Sequence, residues 1–341
     1  MCKRLALIAL TMLALASCRT REKAVEELQA RLTSETSRLE ARLRAIDKSK
    51  LPEDIAGLGQ GYQDSFARIR GTKSPMLRLY RMRDTFIGIE NLAFFAENRK
   101  AGDDMASLQA LVANRKPAYV AKPEKDEGPL LYRALIEQAA NRGRVLYTAS
   151  APYGKISDPM WGGLYYLGDA EGNLKFRDFV RSLPKDVSPD DEAGGDRNRL
   201  TAAADQLGSD TLAFFEKDPT GRGAIPASAK LKEVRELLAA KLDDGATLAL
   251  VEAKLALERK KAEADPGSVH EGAKPQAQAK DPEESVPALL QAYVKEGPPP
   301  VNAVVARDVV PFYASLLQPL AAAKVVAPAA VTVTLVRWPY T

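Results

Sequence analysis

Cysteine and histidine are almost absent from this chain of 341 residues. The only cysteines are Cys2 and Cys18, so residues 19–341 have no thiol for a disulfide, a thiolate metal site or a nucleophile. His270 is the only histidine, and it lies in a stretch rich in Pro, Gly, Ala and Lys. A multi-histidine metal site is thereby excluded, and a Ser-His-Asp triad is not expected. We therefore predict that the protein uses no metal and no other cofactor.

An excess of charge of either sign is also missing. The chain has 49 Lys and Arg residues against 45 Asp and Glu residues, and no stretch collects the basic ones. Domains that bind nucleic acid usually concentrate basic residues on one face, so we predict no nucleic-acid partner. Residues 149–156 contain the Gly-Lys pair of a phosphate loop, but Ile156 stands where Ser or Thr would hold magnesium. We therefore predict no nucleotide partner either.

The first twenty residues have the pattern of an export signal. Two basic residues precede the apolar residues 5–16, a run that is broken only by Thr11. The run is shorter than the roughly 20 residues of a membrane-spanning helix. It ends in Leu15-Ala16-Ser17-Cys18, which resembles the lipobox of bacterial lipoprotein precursors. The resemblance implies that the signal peptide (1–17) is removed, that Cys18 is acylated, and that the membrane is a partner through this lipid.

That resemblance also implies a location in the bacterial cell envelope. Arg19 follows the cysteine, at the position where an aspartate is associated with retention in the inner membrane of enteric-type bacteria. We therefore expect a lipid anchor in the outer membrane and a body that faces the periplasm. An ordinary secretory signal with an incidental cysteine is the alternative interpretation.

A lipid-anchored stalk helix is predicted over residues 18–50, because residues 21–50 contain neither Gly nor Pro. Apolar side chains recur there every seven residues, at Val25, Leu32, Leu39 and Ile46. The companion heptad positions are apolar only at Leu28 and become Glu35 and Arg42, whereas a coiled coil needs both sets over three or four heptads. We expect this helix either to pack on its own body or to pair weakly with a protein partner through residues 21–50.

The remainder predicts a mainly α-helical fold, a multi-helix bundle, with its helical domain over residues 51–264. Apolar residues recur at helical spacing between turns that contain Gly or Pro, for example Leu79, Met82, Phe86 and Ile89. Residues 265–287 contain four prolines and few apolar residues, which predicts a flexible linker.

Residues 288–341 predict a C-terminal piece made of helix and one short β segment. Residues 331–338 alternate and are β-branched, which is the strongest strand signal in the chain. A single strand needs a partner, and residues 324–327, in a hairpin, or residues 144–148 are internal candidates. Residues 325–341 are otherwise a second candidate contact for a protein partner, by strand addition.

A short internal repeat supplies the candidate catalytic residues. Residues 88–95 and 208–215 share a glycine, an acid two positions later, and Leu-Ala-Phe-Phe, through duplication or by chance. The acids are Glu90 and Asp210, and each has apolar neighbours three and four positions away. Apolar surroundings raise the pKa of a carboxyl group, and two facing carboxylates are the machinery of glycoside hydrolysis. The simpler interpretation is that each accepts a hydrogen bond or pairs with Arg81, Arg83 or a partner helix.

Four aromatic residues near Gly and Pro are the candidate ligand-binding residues: Tyr153, Trp161, Tyr165 and Tyr166. Aromatic rings on a long loop can stack on sugars or peptides. They could equally fix the loop onto the bundle.

Together these features favour a membrane-anchored envelope lipoprotein that acts as a non-catalytic helical scaffold or binding module. The absence of a recognisable catalytic motif and the scarcity of His and Cys support that interpretation. The alternative is a cell-wall or glycan-active hydrolase or lyase that uses Glu90 and Asp210. This enzyme would need both carboxylates in one solvent-accessible cleft.

Overall fold

The computed structural model describes residues 2–102, 104–120, 126, 128–153, 160–187, 196–217, 225–264 and 282–295. Over these ranges the chain forms ten α-helices and no β-strand, which confirms the predicted mainly α-helical bundle. The helices are α1 (Cys2–Ala45), α2 (Glu53–Gly71), α3 (Pro75–Glu97), α4 (Met105–Val120), α5 (Leu130–Tyr153), α6 (Met160–Arg181), α7 (Arg197–Lys217), α8 (Ile225–Ala239), α9 (Asp243–Ala264) and α10 (Val286–Lys295). Short 3-10 helices lie at Lys48–Lys50, Arg99–Gly102 and Pro282–Ser285.

Helix α3 is the central element of the bundle. Its start is fixed by Ser74, whose hydroxyl accepts a hydrogen bond from the backbone of Leu77, and by Pro75 in the first turn. From Thr85 to Ala96 every residue of α3 is buried. It packs against α1, α2 and α6, and α6 in turn packs against α5. A helix that is surrounded on all sides needs apolar residues around its whole circumference, as α3 has in this region.

The predicted stalk helix packs on its own body rather than standing away from it. Helix α1 contacts α2 and α3, and its buried stripe consists of Leu28, Leu32, Thr36, Leu39 and Leu43. The spacing of four, four, three and four follows the α-helical period rather than a strict heptad. The hydroxyl of Thr36 donates to the carbonyl of Leu32 at 2.7 Å, so its burial leaves no unpaired donor. No helix in the described part of the chain has the length and hydrophobicity that crossing a bilayer requires.

The apolar core has two main clusters that share α9. The larger cluster collects side chains from α1 to α6, from α10 and from one face of α9. The smaller cluster lies between α7, α8 and the opposite face of α9. Leu248, Val251 and Leu255 belong to the larger cluster, whereas Leu250 and Leu257 belong to the smaller one.

The C-terminal region is described only in part. The predicted strand at residues 331–338 and residues 265–281 of the predicted linker lie outside the described residues. Within residues 282–287 the chain forms a 3-10 helix and then begins α10. Val286 and Leu290 are buried in the larger cluster, so the end of the expected linker is packed against the body.

The two copies of the internal repeat lie in different environments. In α3, Phe94 and Phe95 are buried in the larger cluster. At the end of α7, the corresponding Phe214 is half-buried and Phe215 is 48% exposed. The shared sequence therefore does not produce a shared packing arrangement.

Candidate ligand-binding site

A polar cavity of about 260 Å³ lies between α2, α3, α5 and α6. Seven polar side chains line it. They are Arg142 and three pairs of the same residue type: Tyr62 and Tyr165, Asp84 and Asp169, and Asn91 and Asn173. Tyr165, Asp169 and Asn173 are spaced four residues apart on α6, which places them on one face of that helix. Helix α6 thus contributes three lining residues from one face, and α3 contributes four.

Glycines set the close approach of the helices around this cavity. A Cβ atom at Gly172 of α6 would lie 2.6 Å from the backbone oxygen of Ile87, so only glycine permits the observed spacing of α3 and α6. A Cβ atom at Gly88 of α3 would lie 2.1 Å from the ring of Tyr62. The Tyr62 ring thus occupies the space that a side chain at position 88 would fill, and this contact holds the ring at the cavity.

Asp169 is the half-buried carboxylate of the cavity, and it has no direct partner. No side chain among the described residues forms an ion pair or hydrogen bond with its carboxylate; only its backbone oxygen accepts a bond, from Asn173 Nδ2 at 2.8 Å. Burial raises the pKa of Asp169 from 3.8 to about 6, with Arg142 acting in the opposite direction and Asp84 adding to the rise. At neutral pH the cavity therefore contains a negative charge that has no direct partner.

The positive charge of Arg142 is already matched by glutamates outside the cavity. Its guanidinium donates to both carboxylate oxygens of Glu233, at 2.5 and 2.9 Å, and lies 3.5 Å from Glu252. Asp84 likewise has a partner, because it accepts a hydrogen bond from Arg83 Nε at 2.8 Å, and its side chain is 76% exposed. Asp169 is thus the one carboxylate of the lining whose charge is not paired.

The remaining lining groups are neutral and have unused hydrogen-bonding capacity. Asn91 and Asn173 are at most 2% exposed, and Oδ1 of each is buried without a hydrogen-bond partner in the described part of the structure. Burial raises the pKa of Tyr62 and of Tyr165, so both phenols stay protonated near neutral pH. Aromatic rings beside a carboxylate that has no direct partner are features of a binding site.

Sequence reasoning found part of this site and missed the rest. Tyr165 lines the cavity, and Tyr166 is half-buried on the same helix. The side chains of Tyr153 and Trp161 lie outside the described residues. Asp169 was missed, although its spacing of four residues from Tyr165 within an apolar helix is a signal that could have identified it.

The candidate catalytic residue Glu90 lies at a separate cleft between α1, α3 and α6. This cleft measures about 430 Å³. Glu90 is 2% exposed and accepts hydrogen bonds from Arg38 Nη2 at 2.8 Å and Lys175 Nζ at 2.7 Å, with Arg42 Nε at 3.6 Å. Burial acts to raise its pKa, but the bonds from Lys175 and Arg38 outweigh burial and lower it. This direction corrects the expectation that apolar neighbours raise the Glu90 pKa. Its partners are on neighbouring helices, Arg38 on α1 and Lys175 on α6, as the simpler interpretation allowed, and are not Arg81 or Arg83.

Asp210 lies on α7, in the part of the molecule that packs around the smaller cluster. It is half-buried and accepts a hydrogen bond from Gln206 Nε2 at 3.0 Å on the same helix. Asp210 does not line the cleft that contains Glu90. Across the described residues, no group of three or more His, Cys, Asp or Glu side chains is placed to hold a metal ion.

Comparisons of the chain with protein-family models, with curated proteins and with solved structures find no match. Any functional assignment must therefore come from the lipobox pattern and from the geometry of the helical body.

Proposed function

We propose that this chain is a lipid-anchored protein of the bacterial envelope whose helical body is a non-catalytic binding module. The observation that supports the proposal is the continuity of α1. One helix runs from Cys2 to Ala45, through the lipobox cysteine, and its segment from Leu28 to Leu43 is part of the core. An acyl chain on Cys18 would therefore be attached to a helix that belongs to the body itself.

The helix geometry limits how far the body can lie from the membrane. Leu28, the first buried residue of α1 among those from Thr20 onward, is ten residues after Cys18. At about 1.5 Å per residue, this segment of helix is about 15 Å long. A protein anchored in this way would hold its body close to the lipid headgroups, in the periplasm if the outer-membrane location is correct.

The arrangement of polar groups favours binding over catalysis. The cavity at Asp169 presents a carboxylate without a direct partner beside tyrosine rings, as a ligand site does. Glu90 is held by three cations with a lowered pKa, which suits a structural ion pair and not a general acid. A hydrolase that uses Glu90 and Asp210 would need both in one cleft, and the residues lining the Glu90 cleft do not include Asp210.

The test is acylation of the protein in a bacterial host. The wild-type chain is expected to incorporate labelled palmitate, to fractionate with membranes and to yield an N-terminal peptide that begins at acylated Cys18. Cys18→Ser should incorporate no label and should be released in soluble form. Each buried methylene of an acyl chain contributes about 0.8 kcal/mol to membrane binding. One chain binds only marginally, so stable anchoring needs more than one.

Cys2→Ser is the matched control, because Cys2 is the only other cysteine. This variant should be labelled and membrane-bound like the wild type. An unmodified Cys18 in the purified wild-type protein, or undiminished labelling of Cys18→Ser, would contradict the proposal.

A further inference from the structure

We propose that the cavity between α2, α3, α5 and α6 binds a small organic ammonium ion, with the carboxylate of Asp169 as its counter-ion and Tyr62 and Tyr165 beside its apolar part. The inference deepens the proposed function, since it names the ligand class of the binding module. It does not depend on the lipid anchor, because every group that it invokes belongs to the helical body.

Charge complementarity gives the sign of the ligand. Arg142 is the only cationic side chain in the lining, and its charge is matched by Glu233 and Glu252. The charge of Asp84 is matched by Arg83, whereas the Asp169 carboxylate has no hydrogen bond or ion pair with a described side chain and is attracted only at longer range by Arg142. A half-buried charge without a direct partner is costly, so the cavity favours a cation.

Hydrogen-bonding capacity gives the chemical class. The acceptor that a ligand in the cavity can reach is the Asp169 carboxylate, because Oδ1 of Asn91 and Oδ1 of Asn173 are buried. An ammonium group brings N–H donors and a positive charge to that carboxylate. A neutral sugar could use the tyrosines but would leave the charge of Asp169 uncompensated.

A metal ion fits this cavity less well than an organic cation. Calcium takes six to eight oxygen ligands and usually several carboxylates. Within the described residues no group of three His, Cys, Asp or Glu side chains is placed to hold a metal. The apolar walls contributed by Ile87 and Leu146, together with two tyrosine rings, favour a ligand that has carbon atoms.

The volume limits the size of the ligand. Pockets for drug-sized ligands measure roughly 300–1,000 Å³, and this cavity, at about 260 Å³, lies just below that range. A peptide or an oligosaccharide would not fit inside it. Benzylammonium, which combines one ammonium group with one ring, is therefore a suitable probe, and benzyl alcohol is its uncharged analogue of similar shape.

The experiment is isothermal titration calorimetry at pH 7.5 and low salt, with the acylated full-length chain purified in detergent. Wild-type protein should bind benzylammonium with saturation, and benzyl alcohol should bind about 10- to 100-fold more weakly, the range for one lost charge-assisted hydrogen bond. Asp169→Asn should lower the affinity for benzylammonium by the same factor. Circular dichroism of this variant should show an unchanged helix content.

Asp178→Asn is the matched control. Asp178 is another acid of α6, 61% exposed and outside the cavity, and its replacement removes the same charge from the same helix. This variant should bind benzylammonium like the wild type. Equal affinities of wild type and Asp169→Asn, equal affinities for the two probes, or no saturable binding of benzylammonium by the wild type would overturn the inference.

A second measurement uses pH. Binding should weaken from pH 7.5 to pH 5, because the pKa of Asp169 is about 6. The other titratable groups that face Asp169 do not titrate in this interval: the pKa values of Tyr62, Tyr165 and Arg142 are raised, and Arg83 holds the pKa of Asp84 low. An affinity that does not change over this interval would contradict a role for Asp169. Failure of this test with normal acylation of Cys18 would reject the ligand class and leave the lipid anchor intact.

Discussion

Replacement of Asp169 by Asn is expected to stabilise the folded protein at neutral pH and to have little effect at pH 4. Burial raises the pKa of this carboxyl group from 3.8 to about 6. The folded state therefore holds the proton more tightly than the unfolded state does. For such an acid the stability is greatest below pH 4, falls as the pH rises to about 6, and is constant above that value.

The size of the effect follows from the two pKa values. The interval between 3.8 and about 6, at about 1.4 kcal/mol per pH unit, corresponds to about 3 kcal/mol at most. Asparagine is neutral at every pH and has nearly the same shape, so the variant should avoid this loss. The free energy of unfolding of Asp169→Asn should exceed that of the wild type by up to about 3 kcal/mol at pH 7.5, and by only about 0.5 kcal/mol at pH 4.

The assay is urea unfolding, followed by circular dichroism, of wild type, Asp169→Asn and Asp178→Asn at pH 4, 5, 6 and 7.5. The gain of Asp169→Asn should appear between pH 4 and 6, and the exposed control should show at most about 0.5 kcal/mol at any pH. A variant that is less stable than the wild type at pH 7.5, or whose gain is the same at pH 4, would refute the assignment of an unpaired buried charge to Asp169.

Two further substitutions test the packing of the bundle. Glu252→Gln removes a buried carboxylate that accepts hydrogen bonds from Arg83 at 2.7 Å and Lys230 at 2.8 Å, and it should cost about 3–5 kcal/mol in urea unfolding at neutral pH. Gly172→Ala would place a methyl group 2.6 Å from a backbone oxygen of α3 and should cost about 1–3 kcal/mol, or more if the helices cannot separate. Gly61→Ala, in an exposed stretch of α2 with nothing within 4 Å of the new methyl group, should instead stabilise the protein by about 0.5–1 kcal/mol.

Two outcomes would contradict these predictions. A Gly172→Ala protein as stable as wild type would mean that α3 and α6 are not in close contact at this point. A Glu252→Gln protein that loses less than about 1 kcal/mol would mean that water or other groups already compensate the buried cations.

The helices could be predicted because local signals specify them. Ser74 and Pro75 mark the start of α3, and apolar residues at helical spacing follow them. The stalk shows the limit of such reasoning. A heptad count predicted Glu35 and Arg42 as its companion positions, whereas a helix with 3.6 residues per turn brings Thr36 and Leu43 to the buried stripe instead.

The polar sites could be predicted only where one helix contains the signal. Tyr165 was a candidate because aromatic residues cluster around it, but its relation to Asp169 requires knowing which face of α6 meets α3. Glu90 has partners 52 and 85 residues away in sequence, Arg38 and Lys175. Whether burial or pairing determines its pKa depends on those distant contacts, and no local pattern supplies them.

The burial of the two copies of the internal repeat also depends on contacts with other helices. Leu-Ala-Phe-Phe lies in the core in α3 because α1, α2 and α6 surround that helix. The copy in α7 packs mainly on α8 and α9, and there Leu212 and Phe215 are each 48% exposed. The number of neighbouring helices determines burial here, and that number is a property of the whole chain.

The position of α9 between the two clusters has a consequence for hydrogen exchange. If α7 and α8 detach locally, one face of α9 becomes solvated, but Leu248, Val251 and Leu255 still hold the helix on the larger cluster. If contacts on that side open instead, Leu250 and Leu257 still hold it on the smaller one. The amide protons at the centre of α9 are therefore released only when both clusters open, and their exchange reports the global free energy of unfolding.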